Sequence, residues 1–75
     1  MSALLQQVGY ERRFRPERAK AIREAVGVSQ QRLADELEVD RVTIARWESG
    51  DRTPRPESLV RYLDLLDRLA AETFA

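Results

Sequence analysis

Apolar residues recur at helical spacing along most of this chain and predict four helices. Ala19, Ile22 and Val26 lie three and four residues apart, which gives one apolar stripe on a first helix from Glu17 to Val26. Three further helices are predicted over residues 30–37, 41–49 and 56–73. No segment alternates apolar and polar residues as a half-buried strand does. The pattern therefore predicts an all-α fold.

Glycine, proline and small polar residues mark the ends of these helices. Pro16 suits the first turn of the first helix, and Ser29 and Asp40 precede the second and third helices as N-caps. The segment Gly50–Pro56 contains one glycine and two prolines, so it is a loop that no helix can cross. No glycine follows this loop, and the last helix is therefore predicted to be long and unbroken.

The second and third helices are close enough in sequence to form a helix-turn-helix pair. Residues 38–40 are the whole connection between them, and so short a turn is typical of that arrangement. Ile44 and Trp47 are placed in the core, in preference to a base-stacking role for Trp47. The outward side of the third helix then carries arginines, which can donate to guanine, and small apolar groups, which can contact the thymine methyl. These outward residues are Arg41, Val42, Ala45, Arg46 and Ser49. For the two arginines we favour contact with nucleic acid over a purely solvated role.

Charge is distributed unevenly, although 13 basic and 13 acidic residues give a net charge of zero. Residues 11–23 and 41–55 are net basic, whereas residues 24–40 and 56–75 are net acidic. Twelve of the 13 basic residues are arginines, which suit bidentate contacts to phosphate or guanine. A GC-rich genome would produce the same arginine content, so composition alone leaves both explanations open.

Composition removes several classes of function. The chain has no cysteine and no histidine, so it lacks disulfides, thiolate metal sites and the usual acid–base group near neutral pH. A chain of 75 residues builds only a small core, in which a catalytic cleft and a cofactor pocket are hard to fit. We therefore predict a binding module without metal or cofactor, not an enzyme.

Targeting and membrane segments are not evident. The apolar run at the N-terminus has three residues, whereas a signal peptide needs about 7–15. No stretch approaches the roughly 20 apolar residues of a membrane span. We expect a cytoplasmic protein that does not contact a membrane.

Several short motifs together resemble the phage-repressor, or Xre-type, helix-turn-helix family. They are Val28–Ala34, Val39–Ile44, Arg46–Gly50 and Pro54, and the resemblance covers about residues 17–66. It implies a small lambda-repressor-like bundle of four to five helices, here with a long C-terminal helix. It also implies a regulator of transcription, a repressor by expectation, that binds specific double-stranded DNA with its third predicted helix in the major groove.

The resemblance assigns roles to individual positions. Gln30 lies where family members touch a phosphate and brace the recognition helix, a role we favour over that of a plain first-turn residue. Arg23 and Glu48 match a pair that commonly forms an internal salt bridge, which we favour over a catalytic role for Glu48. The recognition positions are Arg41, Val42, Thr43 and Arg46. The loop positions that meet the DNA backbone are Arg52, Thr53 and Arg55.

The sequence also departs from the family pattern. Glu38 stands where the family usually has glycine, at a position where the backbone can require a positive φ. Residues 1–15 lie outside the resemblance and are separated as an N-terminal arm, with residues 16–75 as the domain. For Arg12, Arg13 and Arg15 two roles stay open: an arm in an adjacent minor groove, or a flexible segment that merely attracts phosphates.

The last helix carries more apolar residues than its core-facing stripe requires. Val60, Tyr62, Leu65, Leu69 and Phe74 spread beyond that stripe, so we expect a partner to cover some of them. Homodimerisation is the simplest explanation, with Tyr62, Leu65 and Leu69 at the interface. A different protein could cover the same helix, and an isoelectric point near 6.3 is compatible with this alternative. In that case the chain is a protein-interaction module, such as an antitoxin or anti-repressor component.

Overall fold

Five helices follow one another in the computed structural model of the chain, which describes residues 2–74 and, except at positions 7, 10 and 74, their side chains. They are α1 (Ala3–Arg13), α2 (Pro16–Val26), α3 (Gln30–Leu37), α4 (Arg41–Ser49) and α5 (Pro56–Phe74). Within residues 2–74 there is no strand, and the predicted all-α fold is confirmed. The four predicted helices correspond to α2–α5, and α5 is the single long helix that the absence of glycine predicts.

The turn between α3 and α4 has the left-handed backbone conformation that explains why the family usually has glycine at this position. Glu38 has φ 58° and ψ 44°, in the left-handed region, and ends α3. Its backbone N–H donates to the carbonyl of Asp35, and the N–H of Val39 donates to the carbonyl of Ala34. Ser29 caps α3 through its hydroxyl, which accepts from the N–H of Arg32 at 3.1 Å. Asp40 precedes α4 in an extended conformation, but its side chain makes no capping hydrogen bond.

The core lies where α2, α3 and α4 meet one side of α5. α2 contacts both α4 and α5, and α3 contacts the same two helices. The buried apolar side chains form one cluster: Phe14, Ala19, Ile22, Leu33, Ala34, Leu37, Ile44, Trp47, Leu59, Tyr62, Leu63 and Leu66. Ala34 is fully buried, and its small side chain lets α3 and α4 cross closely. This packing fixes α4 on the surface of the bundle.

Residues 3–13, predicted to be part of an N-terminal arm, form a helix that packs against α5. Arg13 Nη2 lies 2.7 Å from Asp67 Oδ2, and Phe14 is buried in the core immediately after the helix ends. The apolar pattern of the sequence does not predict α1. Leu4 and Leu5 at the start of this helix are exposed, and Phe14, which anchors the helix to the core, follows its last residue. Met1 and Ala75, which the predicted boundaries include, lie outside the described residues.

Tyr62 lies in the core, so its predicted place at the edge of an interface is wrong. Its side chain is fully buried, and its ring centroid is 5.8 Å from that of Phe14 and 5.1 Å from that of Trp47. The position of a residue around α5 cannot reveal this, because Phe14 comes from a distant part of the chain. Within residues 2–74 the Tyr62 hydroxyl has no hydrogen-bond partner, and burial raises the pKa of the phenol above its ordinary value.

Candidate nucleic-acid interface

One face of α4 is anchored in the core and the other is exposed. Ile44, Trp47 and Glu48 are buried beneath the helix. On the outer face, Arg41 and Arg46 are exposed, and 48% of Val42 is accessible to solvent. An exposed valine between two arginines contributes nothing to this core, but it suits a surface that meets base edges. Of the other predicted positions, Thr43 is half-buried.

A buried ion pair joins α4 to α2. Arg23 Nε lies 2.6 Å from Glu48 Oε2, and Arg23 Nη2 donates to Glu48 Oε1 at 3.0 Å, which makes the pair bidentate. A third donor, Arg23 Nη1, reaches the carbonyl of Val28 at 2.9 Å. The hydrogen bond to Glu48 raises the pKa of the Arg23 guanidinium, while burial acts in the opposite direction. The pair therefore fixes the angle of α4 against α2 and against the segment before α3.

Gln30 connects this buried pair to the exposed face of α4. Its Nε2 donates to Glu48 Oε1 at 3.1 Å, and its Oε1 accepts from Arg41 Nη1 at 3.3 Å. The orientation of the amide is therefore set from the inside by a carboxylate that can only accept. The oxygen of the same amide faces outward and positions the guanidinium of Arg41. The resemblance places Gln30 next to the recognition helix, but the sequence gives no signal for its bond to Glu48.

The loop after α4 carries three of the predicted positions on the same side of the bundle. Arg52, Thr53 and Arg55 are exposed, whereas Pro54 between them is buried and anchors the loop. The N–H of Arg52 donates to the carbonyl of Arg46 at 3.2 Å, which holds the loop against the end of α4. A cavity of about 340 Å³ separates the loop from α4, and its lining includes Thr43, Arg46, Arg52, Arg55 and Ser58.

The arginines of this surface carry charge that the protein itself does not neutralise. Within residues 2–74, Arg46, Arg52 and Arg55 make no ion pair with a carboxylate. Three exposed guanidinium groups around one cavity form a basic surface, although the chain as a whole has no net charge. Guanidinium groups in this arrangement suit bidentate contacts with phosphate or with the major-groove edge of guanine.

The family of the chain agrees with this geometry. Residues 20–72 match the model of the helix-turn-helix family, and the chain therefore belongs to that family, in its Xre or lambda-repressor-like form. It is a DNA-binding, regulatory family and not typically an enzymatic one. No curated protein and no solved structure matches the chain significantly. None of the described helices is both long and apolar enough to cross a membrane.

Proposed function

We propose that this protein is a sequence-specific regulator of transcription that binds double-stranded DNA with α4 in the major groove. The observation that carries the proposal is the outer face of α4, where two arginines flank an exposed valine above a buried anchor. Arg41 and Arg46 supply paired donors for guanine, and Val42 supplies a methyl contact for thymine. Thr43 lies at the edge of this face, where its hydroxyl can reach a base or a phosphate.

Contacts to the DNA backbone surround the outer face of α4. Arg52 and Arg55 meet phosphates from the loop, with Thr53 between them, and Gln30 meets a phosphate from the start of α3. Such contacts supply affinity and fix the register of the protein on the duplex, whereas the α4 side chains supply specificity. The hydrogen bond between Gln30 and Arg41 links the two kinds of contact, because the amide that meets a phosphate also positions the arginine that meets a base.

Repression is the mode of regulation that we propose, with the protein acting in the cytoplasm. A bound protein can block a promoter by occupying it, which requires no surface other than the one that binds DNA. The absence of cysteine agrees with a reducing compartment.

We also propose that a second copy of the chain binds the side of α5 that carries Leu65 and Leu69, so that the smallest active assembly is a homodimer. Both leucines are half-buried and pack at the margin of the core. A single helix-turn-helix recognises too few base pairs to be selective among the roughly 10⁶–10⁹ competing sites of a genome. Two copies lengthen the recognised site.

A protein-interaction module, such as an antitoxin or anti-repressor component, is the second candidate function. One observation favours it: a cavity of about 420 Å³ between α3 and α5, whose lining includes Leu65 and Leu69. A different protein could occupy this groove while α4 contacts nothing.

Selection of bound duplexes from a random pool, followed by fluorescence anisotropy at increasing NaCl concentration, separates the two functions. We expect a selected motif and an affinity that falls with salt by a logarithmic slope of about 0.9 for each phosphate contacted. Arg46→Ala is expected to weaken binding to the motif. Arg68→Ala is the matched control, because Arg68 is equally charged but is exposed on α5 and pairs with Asp64. A pool without an enriched motif, together with no salt-dependent binding to DNA, would favour the protein-interaction module.

A further inference from the structure

A basic surface separate from α4 lies at the junction of α1 and α2. Four arginines there line a cavity of about 260 Å³: Arg12, Arg13, Arg15 and Arg18. The one acidic residue in the lining, Asp67, is paired with Arg13. Within the described chain, Arg12 and Arg18 have no carboxylate partner. The deeper lining is apolar and includes Phe14 and Leu63. We call this surface the basic corner.

A surface with the opposite charge lies between α3 and α5. It is the groove of about 420 Å³ in which Leu65 and Leu69 are half-buried. Its rim carries two acids and one base, Asp35, Glu36 and Arg32, so the rim is net negative. The Glu36 carboxylate makes no ion pair with any described residue. We call this surface the acidic groove.

The basic corner and the acidic groove lie on opposite flanks of α5. Asp67 borders the corner, whereas Leu65 and Leu69 border the groove, each two residues away from Asp67. At roughly 3.6 residues per turn, positions two apart point to nearly opposite sides of a helix. Neither surface includes a residue of α4 or of the loop 50–55, so both leave the proposed DNA face clear.

We propose that copies of this chain associate head to tail, with the basic corner of one copy docked on the acidic groove of the next. The charges are complementary, and both surfaces offer an apolar floor that docking would cover. Two copies that met groove to groove would instead bring two net-negative rims together, which like charges oppose. Because the two surfaces face opposite ways, each copy can bind one neighbour on either side, which is a heterologous contact.

On DNA, and here the inference rests on the proposed function, this contact predicts the symmetry of the site. Palindromic sites mirror a two-fold dimer. Head-to-tail neighbours have the same orientation, so their sites are direct repeats, and association between neighbours makes binding cooperative.

Sedimentation velocity of the full chain without DNA tests the docking itself. We expect the mean mass to rise above the 8.7 kDa of one chain as concentration increases, and to fall back towards that mass in high salt. Arg12→Glu/Arg18→Glu alone and Asp35→Arg/Glu36→Arg alone are expected to stay monomeric. Their mixture is expected to associate, because each variant then meets a surface of opposite charge.

Lys20→Glu/Arg68→Glu is the control, since it changes the net charge as much as the first variant and both residues are exposed outside the linings of the two surfaces. It is expected to self-associate like the unmodified chain. The proposal is overturned if Arg12→Glu/Arg18→Glu self-associates normally, as a groove-to-groove dimer would, or if the mixture of the two variants stays monomeric. Association without any DNA binding would refute the proposed DNA-binding function and leave the docking intact. DNA binding by a strictly monomeric protein would refute the docking and the proposed homodimer, but would leave α4 as the helix that binds DNA.

Discussion

Arg23 and Glu48 form a buried ion pair that fixes the orientation of α4, the proposed recognition helix. Their side chains are 11% and 3% exposed, and they are held 2.6 Å apart, Nε to Oε2. The ion pairs Arg13–Asp67 and Arg68–Asp64, in contrast, are exposed at both ends. Of these three pairs, Arg23–Glu48 is the one whose charges are removed from water, so loss of one partner leaves the other uncompensated.

Glu48→Gln is therefore expected to lower the free energy of unfolding by about 3–5 kcal/mol, because the Arg23 charge stays buried without its counterion. Urea denaturation measures the change. Arg23→Met/Glu48→Leu removes both charges and is expected to recover much of the loss. A double variant as unstable as the sum of its single variants would show that the two residues act independently.

Gln30→Ala tests whether the amide positions Arg41. We expect a relaxed preference at the base pair that Arg41 contacts, with a stability loss of only about 0.5–1.5 kcal/mol. Site selection measures the first quantity and urea denaturation the second. Gln31→Ala is the matched control, because its amide bonds only the exposed Asp35 carboxylate, at 2.8 Å. Equal effects of both variants on site preference would argue against a positioning role for Gln30.

Arg46→Ala and Arg55→Ala are expected to differ in kind. Loss of a base contact should cost about 1–3 kcal/mol on the selected site and relax one position of the motif. Loss of a phosphate contact should weaken binding to every sequence and reduce the salt slope by about one unit. Anisotropy titrations on selected and scrambled duplexes distinguish these results. If Arg46→Ala weakens binding to both duplexes equally, Arg46 contacts the backbone and does not recognise a base.

Tyr62→Phe is expected to stabilise the fold by about 1–3 kcal/mol, since it removes a buried hydroxyl that has no partner among the described residues. Burial raises the pKa of Tyr62 in the folded state, so the unfolded chain ionises first as the pH rises past the ordinary value of about 10. The unmodified protein should therefore lose stability above that pH, and the variant should lose less. Urea denaturation across this pH range measures both effects. A less stable Tyr62→Phe protein would mean that the hydroxyl is hydrogen-bonded.

Glu38→Gly relieves a left-handed backbone at φ 58°. The left-handed conformation costs a residue with a side chain about 1–2 kcal/mol, which glycine avoids. Glycine also makes the unfolded chain more flexible, which lowers the free energy of unfolding by about 0.5–1 kcal/mol. We expect a net stabilisation of about 0–1.5 kcal/mol, measured by thermal or urea denaturation. Glu36→Gly, within α3, is the control and should destabilise. If Glu38→Gly destabilises as much, the Glu38 side chain contributes more than its backbone strain costs.

Local signals in the sequence predict most of the helices but few of the long-range contacts. Pro16 and Gly50 mark helix ends through their own backbone preferences, which neighbouring residues express without help from the rest of the chain. Helix α1 is held instead by the neighbouring Phe14, which packs into a core made by residues far along the chain. The spacing of apolar residues within one segment cannot predict such a contact. The burial of Tyr62 and the hydrogen bond between Gln30 and Glu48 cannot be predicted from local spacing for the same reason. The outward face of the third predicted helix already indicates Arg41, Val42 and Arg46 as candidate DNA contacts. Gln30 and the loop positions are predicted from the family resemblance, because exposure does not by itself indicate a ligand.

Phe14 belongs to the folded core but lies outside the segment that matches the family. The family match begins at residue 20, yet this side chain, six residues earlier, fills the core beside Tyr62. A fragment cut at the limits of the match would keep every proposed DNA contact and still expose an aromatic-sized gap at its centre. For this protein, homology is a guide to where the chemistry lies and a poor guide to where the autonomous domain starts.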